Sequence, residues 1–191
     1  MIVGIDASNI RMGGGTTHLI RVLEVAEPEK HGIEEILVWS NQNTLEKIPE
    51  RPWLRTFHDP LLDRALPYRL FWQWFRLPRL VREKCDVLYS PGGNAPRGIS
   101  PIVTMSRNML PFEYKELFRY GASLMTLRLI LLRIGQGRTF QRADGLIFLT
   151  EYAKNTIHPM LTLDGEVTVV PHGVEDRFRR PPREQLSIDE Y

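Results

Sequence analysis

Short apolar runs of four or five residues alternate along the chain with stretches of helical periodicity. That is the pattern of successive βαβ units around a parallel sheet. Ile2-Val3-Gly4-Ile5-Asp6 opens the chain as a buried strand, followed by a loop over residues 7–15. Leu19, Val22, Leu23 and Ala26 then share one face of a helix that Pro28 closes. Ile36-Leu37-Val38-Trp39 predicts the second strand and Trp53-Leu54-Arg55-Thr56-Phe57 a weaker third. Leu70, Trp74, Leu77 and Val81 recur at helical spacing, so this segment predicts a helix with those residues inward and a kink or restart at Pro78.

Further strands are expected over 86–90, 101–105, 145–149 and 166–170. Helices are expected over 113–118, 123–141 and 151–160, the last capped by Thr150. The fold class is therefore α/β: a doubly wound, mostly parallel, Rossmann-like sheet of about seven strands. Beyond Gly173 the chain turns polar, with Pro181-Pro182, so the folded domain is expected over residues 1–172. Residues 173–191 read as a linker and the truncated start of something further.

Composition narrows the function classes. Of 191 residues, 42% are hydrophobic and 25% charged, ordinary for a soluble domain. The single cysteine, Cys85, excludes an internal disulfide framework, and the scattered histidines show no metal-ligand spacing. No apolar run reaches the ~18 residues of a membrane span, and the first residues lack a signal-peptide pattern, so a cytoplasmic location is expected. The net charge of +2 is unevenly spread. Residues 64–84 hold six basic side chains and one acid, and residues 118–142 hold five arginines and no acid. Such clusters suit a surface that meets anions, whether lipid headgroups, phosphates or nucleic acid. Within residues 69–76, two arginines flank a run rich in aromatics, which fits either a membrane-interface helix or a core helix with a solvated basic face.

In an open α/β sheet the ligand sits beyond the carboxyl ends of the strands, so the loops there hold the candidate chemistry. Gly13-Gly14-Gly15 runs straight into a helix, where glycines permit close backbone approach and free amides attract phosphate. It has neither the spacing of a dinucleotide fingerprint nor a P-loop lysine. Asp6 ends the first strand, facing the cleft or capping its own loop. Arg107 and Asn108 follow a buried strand, the first suited to a phosphate and the second to a sugar hydroxyl. Glu151 begins a helix after the sixth strand, and His172 follows the last. His18, His31, His58 and His158 read as surface or packing histidines.

Several pieces, in order, resemble the amino-terminal domain of GT-B glycosyltransferases of group 1, the retaining family 4. They are the opening strand with Gly13-Gly14-Gly15, the Leu70-Phe71-Trp72-Gln73 helix, and Asp86-Val87-Leu88-Tyr89-Ser90-Pro91-Gly92. Next come Met105-Ser106-Arg107-Asn108-Met109-Leu110-Pro111-Phe112, Ala143-Asp144-Gly145-Leu146-Ile147-Phe148-Leu149-Thr150-Glu151, and Val169-Val170-Pro171-His172-Gly173-Val174. The resemblance implies transfer of a sugar from a nucleotide-sugar substrate to an acceptor hydroxyl, with no resident cofactor or metal. It implies a hexosyltransferase whose acceptor is a lipid-linked glycan or cell-surface polysaccharide. It places Gly13, Gly14 and Gly15 near the donor phosphates, and the loop residues Asp6, Arg107, Asn108, Glu151 and His172 are the candidates for the acceptor cleft. The family often has a histidine where Ser106, Arg107 and Asn108 stand here, so no catalytic residue is assigned. A second domain grips the nucleotide in such enzymes, so this chain alone is expected to be inactive, with peripheral membrane contact. Two other readings remain: a non-catalytic subunit that completes a split glycosyltransferase, and a nucleotide- or nucleic-acid-binding α/β module.

Overall fold

The computed structural model describes residues 1–173 and Arg179. Its seven strands are β1 (Ile2–Asp6), β2 (Glu35–Ser40), β3 (Leu54–His58), β4 (Val87–Ser90), β5 (Ile102–Ser106), β6 (Gly145–Phe148) and β7 (Glu166–Val169). They form one sheet in the order β3-β2-β1-β4-β5-β6-β7, and every neighbouring pair is parallel. The sheet is thus wholly parallel, beyond the mostly parallel expectation. The 172/173 boundary and the expected linker, apart from Gly173 and Arg179, adjoin or fall on residues outside those described.

Strand order dictates where the helices lie. The β1-to-β2 step runs one way along the sheet, while the β3-to-β4 and later steps run the other, and right-handed crossovers then require opposite faces. α1 (Gly14–Val25) accordingly packs Leu19 and Leu23 on Ile5, Ile36 and Val38. The other face carries Leu37, Trp39, Leu88 and Ile102 against Trp72, Leu77 and Val81. A third cluster joins Phe112, Phe140, Ala153 and Ile157 to Leu146 and Phe148 of β6. Gly4 is required by this packing, since a β-carbon there would come within 2.8 Å of both Cys85 Sγ and the Trp39 ring. Burial pushes the Cys85 thiol up to about 11.

Short helices α2 (Gln42–Leu45) and α3 (Pro60–Asp63) precede α4 (Leu66–Phe71) and α5 (Leu77–Lys84). Between the last two, Trp72–Arg76 form a π-helical turn, closed by the Leu77 amide donating to the Trp72 carbonyl. The break therefore comes before Pro78, which sits in the first turn of α5, where a missing N–H costs nothing. The wider turn also changes which side chains point in. Trp72 and Gln73 are buried, while Leu70 and Trp74 are exposed, contrary to the expectation that they face the core. Asp59 fixes this register by accepting from Trp72 Nε1 at 3.0 Å and Arg76 Nη1 at 2.6 Å. Helices α6 (Tyr114–Leu117), α7 (Leu124–Arg142) and α8 (Glu151–Ile157) complete the domain. Thr150 caps α8, its Oγ1 accepting from the Ala153 amide at 3.1 Å.

Candidate functional site

The strand order reverses between β1 and β4, which opens a crevice beyond their carboxyl ends. The loop leaving β1 is buried in its first half, where Ala7, Ser8 and Ile10 have little exposure. The carbonyl of Ile10 accepts from Asn41 Nδ2 at 3.2 Å and Thr44 Oγ1 at 3.0 Å. The chain then turns at Gly13, whose φ of 71° favours glycine, and enters α1 with no side chain capping its first turn. Gly14 has no atom within 4 Å of where a β-carbon would stand, so its backbone is open to a ligand.

Arg107 is the first residue beyond β5 and lies against this loop. Both its Nη atoms are 3.2 Å from the position a β-carbon on Gly15 would take. It forms no hydrogen bond or ion pair with any described residue. A cation beside an uncapped helix start is an arrangement that takes a phosphate oxyanion. Two further cation-capable groups complete it. His18, on α1, has its ring centroid 4.6 Å from that of His172 in edge-to-face contact. Burial, then the nearby charges of His172 and Arg107, hold the His18 imidazole below its ordinary range. Tyr89 of β4 lies within reach of the same guanidinium, which partly offsets the burial that pushes its phenol to about 12. Thr16, in the first turn of α1, keeps a buried Oγ1 with no hydrogen-bond partner among the described residues.

The structure thus brings Gly13, Gly14, Gly15, Arg107 and His172 to one place and adds His18. From the sequence His18 reads as a surface or packing histidine, although it stands one helical turn past Gly15 and so shares its side of the helix. The other candidates lie elsewhere. Asp6 is buried beneath the crevice, where Oδ1 accepts from the Ser8 amide at 3.1 Å and Oδ2 from Gln73 Nε2 at 2.5 Å. Burial raises its carboxyl above the ordinary range. Asn108 caps its own loop, Oδ1 accepting from the Leu110 amide at 3.1 Å. Glu151 is exposed in the first turn of α8.

Gln73, delivered by the π-helical turn, was not singled out from the sequence, yet it spans the crevice. Besides Asp6 it donates to the Asn94 carbonyl at 3.2 Å, and its Oε1 accepts from Asn9 Nδ2 at 3.4 Å. It therefore ties the loop after β1 to the loop after β4. The latter is held from its other side by α7, where Thr139 Oγ1 accepts from the Ala95 amide at 3.3 Å and Arg142 donates to the Ala95 carbonyl.

The family model for Glycosyltransferase Family 4 matches residues 12–178, which include the glycine loop, His18, Arg107 and His172. No curated protein matches the chain.

Proposed function

Since this chain belongs to glycosyltransferase family 4, as a GT-B group 1 amino-terminal domain, we propose that it forms the acceptor-side wall of a hexosyltransferase cleft. The observation that carries this reading is Arg107, held against Gly15 at the start of α1 with no counter-charge among the described residues. In this reading the diphosphate of a nucleotide sugar lies over Gly13–Gly15. The acceptor hydroxyl attacks the anomeric carbon, the bond from that carbon to the diphosphate breaks, and the hydroxyl proton passes to a departing phosphate oxygen. Arg107 and the first amides of α1 stabilise the charge that develops on the leaving group, where electrostatic stabilisation is most effective. The stereochemistry is retention.

One sheet supplies one wall. Turnover then requires a nucleotide-gripping domain, in cis or in trans, to orient the donor and exclude water. The acceptor is a glycan or lipid-linked glycan, and the protein works in the cytoplasm, at the inner face of an anionic membrane. Among the described residues no helix is long and apolar enough to cross that membrane.

Titration calorimetry with inorganic pyrophosphate tests the anion site directly. The chain should bind it, and Arg107→Gln should weaken binding roughly tenfold or more, the loss expected for a charge-assisted contact. Equal affinities would remove the observation on which the reading stands. Incubation with a panel of nucleotide sugars should release no diphosphate from this chain alone, and steady release would refute the need for a second wall.

A further inference from the structure

Helix α7 presents Leu124, Leu127 and Leu131 outward. Its buried residues are Thr126, Leu129, Gln136, Gly137, Thr139 and Phe140, half of them polar. Two of the polar groups serve the chain's own backbone: Thr126 Oγ1 donates to the Gly121 carbonyl at 2.6 Å and Thr139 Oγ1 to that of Gly135 at 3.0 Å. On the outer side Leu124, Leu127, Leu131 and Ile134 are 85%, 52%, 61% and 43% exposed. Their spacings of three, four and three residues keep them on one stripe. A continuous apolar stripe left in water marks an interaction surface.

The charge around the stripe identifies what it meets. Arg128 and Arg138 are exposed beside it, and neither has an ion-pair partner among the described residues. Phe118 and Tyr120 extend the apolar surface ahead of the helix, with Arg119 between them paired to Glu116 at 3.1 Å. No acidic residue occurs from Phe118 to Arg142. Leucines beside uncompensated guanidiniums suit a bilayer interface. There the apolar chains enter the acyl boundary while the arginines reach back to anionic headgroups.

We propose that α7 is the membrane-facing element of this domain, lying flat on an anionic lipid surface. The chain leaving the site end of β5 at Arg107 passes through α6 into α7, so Leu124 and Leu127 lie toward that end. Docking by this stripe would hold the cleft mouth at the headgroups, where a lipid-linked acceptor presents its hydroxyl. That last consequence rests on the proposed sugar transfer. The docking itself does not.

Co-sedimentation with vesicles, which needs no turnover, tests it. The chain should sediment with vesicles of phosphatidylcholine mixed with phosphatidylglycerol and about tenfold less with phosphatidylcholine alone. The double variant Leu127→Glu/Leu131→Glu should lose about tenfold of the anionic binding while its circular dichroism and melting stay as in the parent, because both side chains are exposed. Val22→Glu/Val25→Glu, on the opposite face of the sheet, should bind as the parent does. Arg128→Glu/Arg138→Glu should abolish the preference for anionic vesicles. No binding, equal binding to neutral vesicles, or parental binding by the leucine variant would each overturn the proposal. So would a self-association that the leucine variant breaks without any vesicle binding, since the stripe would then meet a second copy. Pyrophosphate binding through Arg107 would survive any of these failures.

Discussion

The guanidinium of Arg107 rests against the Cα of Gly15, with both Nη atoms 3.2 Å from the place of the missing β-carbon. This gives the three loop glycines separable roles. Gly13 has the positive φ, so Gly13→Ala should cost about 1–3 kcal/mol of stability. Gly14 has open space around it, so Gly14→Val should melt close to the parent yet lose pyrophosphate binding if the anion sits on the backbone there. Gly15→Ala should displace Arg107 by a few tenths of an ångström and weaken binding without a large stability change. Thermal melts paired with calorimetric titrations separate the three. A Gly14→Val chain that binds pyrophosphate as the parent does would place the anion away from this loop.

His18 sets a pH dependence whose sign follows from its surroundings. Its folded-state pKa lies below the unfolded value of about 6.5, because burial and the charges of His172 and Arg107 oppose protonation. The unfolded chain then binds more protons in this range, so the stability contributed above the unfolded pKa is lost as pH falls through it toward the folded one. Melting temperature should therefore drop between about pH 7.5 and 5.5 by more in the parent than in His18→Gln. Added pyrophosphate should narrow the gap, since an anion beside His18 favours its charged form. Parallel pH profiles for the two proteins would show that His18 carries no such linkage.

Much of this was legible in the sequence because the inner strands, covered on both faces, read as apolar runs while the more exposed edge strands β3 and β7 mix apolar and polar residues, and all seven lie within about a residue of where those patterns fall. Arg107 was legible for a related reason, as a polar residue directly after such a run. The register of Trp72 and Trp74 was not, because a π-helical turn shifts the phase of a helix and a fixed helical period misses it. His18 and Gln73 escaped notice because each acts through a partner far along the chain, His172 and Asp6, that only the folded sheet brings near.

Gln73 is the residue whose loss should expose this dependence most clearly. Its Nε2 donates to Asp6 Oδ2 at 2.5 Å and to the Asn94 carbonyl at 3.2 Å. Gln73→Leu keeps much of the volume but leaves the buried carboxylate short of a donor, which should cost about 1–3 kcal/mol in urea unfolding. The deficit should also depend on pH. Burial already raises the Asp6 carboxyl, and the Gln73 hydrogen bond works against that rise, so removing it raises the folded-state pKa further. A carboxyl with a raised folded pKa keeps its full stability below the unfolded value of about 3.9 and loses it as pH climbs through the folded one. The variant should therefore lie closer to the parent at about pH 4 than at pH 7. A deficit equal at both would mean that Gln73 stabilises the crevice through Asn94 and packing alone, with Asp6 a bystander.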